Sequence, residues 1–259
     1  MNYKYVRPQK LSSDLLWLCP VKAEGLVRVG GPHDGGYLVP QAIIDQSEGM
    51  LSYGLGEDWS FDTHWHHLKP SDPIYMHDGT GPEYYYEPRL RWQYDTFFHT
   101  LPHVRHYKQN VGPETLLNER VVSFTESVDR MGVDQVFIKM DIERGELPIL
   151  NDIVANAHRI TGIVIELHDC TVLGDQFKRS VETLKQAYKI VHFHGNNYVH
   201  YGENGLTDCI ELTFIRKDLC PSDELRYEVH IDELDYSNVK GSVDPQYSFE
   251  PAGTITLNI

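Results

Sequence analysis

The sequence has no C-x-x-C pair among its 4 cysteines, no apolar stretch approaching the ~20 residues that cross a bilayer, and no excess of positive charge. Cys19, Cys170, Cys209 and Cys220 show no disulfide-rich framework in their spacing. They read as buried free thiols in a reducing compartment. The first residues, MNYKYVRPQK, carry no apolar signal core, so the expected location is cytoplasmic, without a membrane span. With 23 Lys and Arg against 38 Asp and Glu, the formal charge is −15. That field opposes a polyanion, and nucleic acid is not expected as a partner. It does not bear on a small anion held by a few local side chains.

What is present is a chain of 259 residues with 41% hydrophobic content, enough for one substantial core. From about residue 49, short apolar runs alternate with stretches of helical spacing, the pattern of a mostly parallel sheet with helices on its faces. The strand candidates are Met50 to Tyr53, Ile74 to His77, Val104 to Lys108, Val136 to Met140, Ile163 to Leu167, Ile190 to His194 and Ile210 to Ile215. Helices are expected after Ser123, where SFTE offers a capping box, from Glu146 through ELPILNDIVANA, and over DQFKRSVETLKQAYK. Asn204-Gly205 suits an antiparallel return between the last two strands, closing the sheet. The fold class is therefore α/β, with residues 49–216 as core and residues 1–48 and 217–259 as additions. VGGPHDGGYLVP, residues 29–40, reads as irregular backbone, as does the tail DELDYSNVKGSVDPQYSFEPAG, which shows no chemistry.

The first strand runs into LSYGLGEDWSFD. Gly54 and Gly56 remove side chains at a sharp strand-to-helix turn, where a ligand can approach the main chain. The next strand ends in Asp78, about twenty residues on, where an acid can accept hydrogen bonds from ribose hydroxyls. The third glycine of a dinucleotide fingerprint is missing, and Glu57 and Asp58 follow the turn instead. Negative charge there repels a pyrophosphate and attracts the sulfonium and ammonium groups of S-adenosylmethionine.

Polar residues also gather at the ends of later strands. Asp141, Glu143 and Glu146 follow the fourth, Glu166 and His168 share a face of the fifth, and His192 and His194 share one of the sixth, with Asn196 and Asn197 in the loop beyond. Asp141, His168 and His194 are the catalytic candidates, with either histidine suited to act as a general base. The same three could hold a divalent metal that lowers the pKa of an acceptor, with Asp169 as an alternative ligand. His64, His66 and His67 on the first predicted helix do not face one another and are set aside. Tyr84, Tyr85, Tyr86, Trp92, Phe97 and Phe98 either wall an acceptor pocket or pack an insertion onto the core.

Taken in order, DGGYLVP, SYGLGEDWSFD, KMDIERGE, IVIELHD and HFHGNNY resemble the FkbM-type family of class I S-adenosylmethionine-dependent methyltransferases, from about Arg28 to Arg216. The resemblance implies a Rossmann-like, seven-stranded sheet with one antiparallel strand, and O-methylation of a small metabolite or saccharide in surface-polysaccharide or natural-product biosynthesis. By position it implies cofactor contacts at Tyr53, Gly54, Gly56, Asp58, Asp78, Asn110, Val111 and Asp141, with Asn110 and Val111 flanking the adenine and Asp34 to Tyr37 folding over the same edge. Ser52-Tyr53 replaces the acid that many members carry on the first strand. Arg144 replaces a glycine, and its charge could help bind a phosphorylated acceptor. Two other classes stay open: a non-catalytic glycan- or partner-binding module, and a metal-dependent hydrolase.

Overall fold

The computed structural model describes residues 9–81 and 87–252. Tyr84, Tyr85 and Tyr86 lie outside the described residues. Seven strands form the central sheet: β1 (Gly49–Tyr53), β2 (Ile74–His77), β3 (Val104–Tyr107), β4 (Val136–Met140), β5 (Ile160–Leu167), β6 (Tyr188–Tyr201) and β7 (Thr207–Arg216). Their order is β6-β7-β5-β4-β1-β2-β3. Every pairing is parallel except those of β7, which runs antiparallel to both β5 and β6. This is the expected Rossmann-like α/β sheet. One detail differs: β7 sits inside the sheet, and β6 forms the edge. The chain reverses at Asn204-Gly205, with Gly205 at φ 83°, and β7 lies back between β5 and β6.

Alternation along each strand sends side chains to two faces. In β4, Val136, Ile138 and Met140 join one core cluster, and Phe137 joins the other. The first cluster is covered by α3 (Phe124–Met131), α4 (Leu150–Ala155) and α5 (Asp175–Leu184), which bury Phe124, Val128, Ile153, Phe177 and Val181. The second is covered by α1 (Ser60–Leu68) and α2 (Pro88–Thr100). There Trp65 is fully buried, its ring 4.8 Å from that of Phe137. Burying such a ring dominates the local packing energy. Tyr94, Phe97 and Phe98 of the aromatic insertion are core residues as well, whereas Trp92 is exposed.

Helix ends follow the sequence signals in part. Ser123 Oγ accepts from the Glu126 N–H at 3.1 Å, the capping contact expected for α3, and Gly132 ends that helix in the left-handed region. The stretch from Glu146 is broken instead: a 3-10 turn, Leu147–Ile149, precedes the short α4. Pro148 supplies no N–H, and a first turn is where a helix tolerates that.

The additions are more ordered than their composition suggests. Leu26–Val29 and Tyr37–Pro40 pair as an antiparallel ribbon, so only the middle of the glycine-rich segment is irregular. Gln9–Leu11 pairs in parallel with Tyr247–Phe249, tying the N-terminal region to the tail. Among the described residues no helix is long and apolar enough to cross a membrane.

Candidate cofactor and catalytic site

The strand order reverses between β1 and β4, and a cleft of about 570 Å3 opens there at the carboxyl ends of the strands. Ligands in open α/β sheets bind at such a crevice. Gly54, Gly56, Asp58, Asp78, Asn110, Val111 and Asp141 all line it, drawn from separate segments.

The two glycines do different jobs. Gly54 has φ 83°, and a Cβ there would stand 1.6 Å from the Asp141 carbonyl oxygen, so the close approach of β1 to β4 excludes any side chain. Gly56 has φ 53°, yet a Cβ on it would meet nothing within 4 Å. Its bare backbone borders the open cleft. The buried Lys139 ammonium donates to the Gly54 carbonyl at 2.7 Å and fixes the turn from beneath.

Asp78 braces the same turn. Its Oδ2 accepts from the Leu55 N–H at 2.6 Å, and its Oδ1 accepts from the Thr80 N–H and hydroxyl at 2.7 and 2.6 Å. Burial would raise its pKa, but these donors outweigh burial and hold it below the ordinary value, so the carboxylate is charged. Asp58 Oδ1 accepts from the Ser60 N–H at 2.7 Å, at the start of α1. Asn110 Oδ1 accepts from the Gly79 N–H at 2.8 Å, beside the buried Val111.

Tyr53 is corrected by the fold. Its side chain is fully buried on the α3 face, where its hydroxyl lies 2.6 Å from Ser127 Oγ, so it does not line the cleft. As the last residue of β1 it points away from the face on which the turn opens.

The expected trio of Asp141, His168 and His194 is not assembled. His168 Nε2 lies 4.0 Å from Asp141 and 3.4 Å from Glu143, and its Nδ1 lies 3.8 Å from Glu146. Burial alone would lower the His168 pKa, but Glu146, Glu166 and Glu143 raise it to about 9. At neutral pH it is an imidazolium, which removes it as a base and leaves Asp141, whose own pKa is raised by burial. Glu146 takes the place expected for His194: one ligand atom from each of Asp141, Glu146 and His168 fits within 4.8 Å. That set already carries its own cation.

His194 lies elsewhere, with Nδ1 3.0 Å from Glu211 and Nε2 3.0 Å from Asp244. Both nitrogens are engaged and the ring is buried, so it serves neither as base nor as metal ligand with Asp141. His192 pairs with Asp235 at 3.1 Å. Asn196 and Asn197, expected in a loop, belong to β6. His64, His66 and His67 do not converge: His64 Nδ1 accepts from the Gly30 N–H, His66 lies against His103, and His67 against the Thr63 carbonyl.

Arg144 is not free for an anionic acceptor. Its guanidinium grips Asp169 at 2.5 and 2.8 Å. Glu143 and Arg144 have φ 53° and 80°, backbone that favours glycine, so this turn beside Asp141 holds strain.

Several residues went unseen in the sequence. Glu211, Asp235 and Asn238 are buried near the strand ends with the half-buried Asp244 beside them, three of the four from the tail. Glu211 carried a signal, a lone acid inside the apolar run CIELTF. Arg28 binds the carbonyls of Gly31, His33 and Leu234 and stacks over Tyr236, fastening the glycine loop to the tail.

No family model and no curated protein matches the chain. Solved structures similar to it include a precorrin-6y C5,15-methyltransferase from Geobacter metallireducens, 17% identical over 68% of this chain and 85% of that one, with TM-score 0.39. The Methanococcus jannaschii fibrillarin pre-rRNA processing protein is 13% identical over 67% and 68%, with TM-score 0.40. Methyltransferase FkbM from Methylobacillus flagellatus is 15% identical over 64% of this chain and 43% of that one, with TM-score 0.38. Each likeness is loose, and the fold rests on the sheet order itself.

Proposed function

We propose that this protein is an S-adenosylmethionine-dependent methyltransferase acting on an oxygen of a small metabolite or saccharide. One observation carries the reading: the cleft at the β1–β4 reversal gathers the glycine turn, an ionised Asp78, Asn110 and Asp141 from separate segments. The residues fit the cofactor. Gly56 offers bare backbone to the space, and the acids bordering it suit a sulfonium and an ammonium group while opposing a pyrophosphate. Bound there, the cofactor would supply an activated methyl group.

The chain's own residues do the rest. Lys139 and Asp78 hold the turn rigid, so that positioning, the main source of rate in such a transfer, is built in before binding. Asp141 accepts the acceptor's proton, and the His168 imidazolium beside it steadies the charge. The Arg144–Asp169 pair counts against a phosphorylated acceptor and for an uncharged hydroxyl.

Titration calorimetry with S-adenosylhomocysteine tests the reading. One site per chain is expected, weakened at least tenfold in Asp78→Ala. No heat with the wild-type chain, or no change in the variant, would end it.

A further inference from the structure

Away from the cofactor cleft, the second core cluster is open along one margin, where Pro40, Ile43, Val191, Ile215 and Leu219 wall a cavity of about 640 Å3. Ile215 pairs with Gly162 near the start of β5, and Val191 stands near the start of β6. The cavity therefore lies toward the amino ends of these strands, whereas the glycine turn follows the carboxyl end of β1. No residue that lines the cofactor cleft borders it. Space of this size behind mostly apolar walls suits a small ligand.

Two cations line the cavity, and they differ in standing. Lys22 is exposed and pairs with Glu224. Arg226, from the tail, is half-buried, and among the described residues no carboxylate pairs with it. A bulge in β6 seats it: Ile190 pairs with Phe214 and His192 with Thr213, so Val191 is skipped, and its carbonyl accepts from Arg226 Nη2 at 3.3 Å. Of the other guanidinium nitrogens, Nε is buried without an acceptor, and Nη1 has none among the described residues. The acids nearby are spent or screened. Asp235, which acts on Arg226 from farther away, pairs with His192 at 3.1 Å, and Asp223 pairs with Lys189 at 2.9 Å. Glu24, the remaining acid of the lining, is exposed to solvent. A cation drawn out of water without a counter-charge is costly, and here a single carbonyl answers it.

We propose that this cavity is a second ligand site, which takes a small monocarboxylate with an apolar body, its carboxylate on Arg226 and its body against Ile43, Val191 and Ile215. A guanidinium is the side chain best shaped for a carboxylate and the least reluctant to shed water. The walls select the rest of the ligand, because an anion without an apolar body leaves them bare and an apolar molecule without a charge leaves Arg226 unanswered. The formal charge of −15 does not oppose one small anion held locally. This site is independent of the methyl-transfer reading, since it lies at the other edge of the sheet and shares no residue with the cleft.

Titration calorimetry of the full chain with octanoate is the test. One site per chain is expected, with affinity at least tenfold lower in Arg226→Gln. Ala42→Trp, at an exposed position of the short helix Gln41–Gln46 on the cavity wall, should fill the space and weaken octanoate to the same degree. That variant keeps the test valid if Arg226→Gln folds poorly. Octanoate should also raise the unfolding midpoint of the wild type and not of Ala42→Trp. Inorganic phosphate and 1-octanol, each with half of the required chemistry, should bind at least tenfold more weakly than octanoate. Absence of saturable octanoate binding overturns the site. So does unaltered binding in Arg226→Gln or in Ala42→Trp, or 1-octanol binding as tightly as octanoate.

Discussion

At the carboxyl ends of β1, β2 and β4, polar side chains border an open cleft of about 570 Å3, whereas on β6 and β7 His192, His194 and Glu211 are sealed beneath the tail. Both halves use the same residue types. In the open half, Asp78 and Asp58 spend their lone pairs on local backbone N–H groups, which shapes a turn and leaves space beyond it. In the sealed half, His192 and His194 meet Asp235 and Asp244 from more than forty positions away, and the pairs leave no room. An imidazole at a strand end is thus a candidate base on one side and a fastening on the other. What covers it decides which.

The largest expected effect breaks the open half. Gly54→Ala would set a methyl group 1.6 Å from the Asp141 carbonyl at φ 83°, forcing β1 and β4 apart. Overpacking of that severity costs roughly 3 kcal/mol, with left-handed strain of about 1 kcal/mol besides. A drop in the urea midpoint together with loss of S-adenosylhomocysteine binding is expected; a variant with wild-type stability would refute the account of the turn.

In the sealed half, Asp235→Asn removes one partner of a buried pair whose side chains are 5% and 2% exposed. Leaving a buried group uncompensated costs about 3 kcal/mol. Denaturant unfolding should show it, while S-adenosylhomocysteine affinity stays within about twofold at temperatures where the variant is folded. If the cofactor is lost too, the halves are coupled and the contrast drawn between them fails.

That division also explains what the sequence made legible. The seven strands, the glycine turn, Asp78 and Asp141 could be read because each is a local signal: an apolar run, a break after it, an acid at the next strand end. His194 could not be placed, because its neighbours lie 17 and 50 positions away in chain segments of different character. The Asp34–Asn238 contact spans 204 positions, and no periodicity announces such a pair. The tail has the composition of a loop, and its buried Asp235 and Asn238 look like any solvated polar residues until the fold buries them. Arg144 misled for a related reason: its charge was visible, but not the Asp169 that occupies it.

Acidity separates the halves more gently. His230 is raised above its ordinary 6.5, mainly by the Asp244 carboxylate 3.2 Å from its Nδ1, and Asp244 is held below 3.8 because His194 and His230 outweigh its burial. A raised histidine stabilises fully below the unfolded value and loses that contribution as pH climbs through the folded one; a depressed aspartate stabilises above its unfolded value and loses it as pH falls. The tail should therefore be held best between roughly pH 4 and 6.5. Limited proteolysis within residues 230–252 should quicken as pH rises past 6.5, and Asp244→Asn should flatten that rise. A cleavage rate independent of pH would detach the tail's stability from these pairs.

The smallest change in stability should come from Gly56→Ala, and it sharpens the comparison most. A Cβ at Gly56 meets nothing within 4 Å, so only the positive φ opposes it, at about 1 kcal/mol. The unfolding midpoint should barely move. If a cofactor lies against this backbone, however, the new methyl group occupies its place, and S-adenosylhomocysteine binding should fall at least tenfold. Gly54→Ala cannot make that distinction, because there binding and folding fail together. Should Gly56→Ala bind like the wild type, the open side of the turn faces solvent and not a ligand, and the glycine pair reduces to a bend that the packing of β1 on β4 requires.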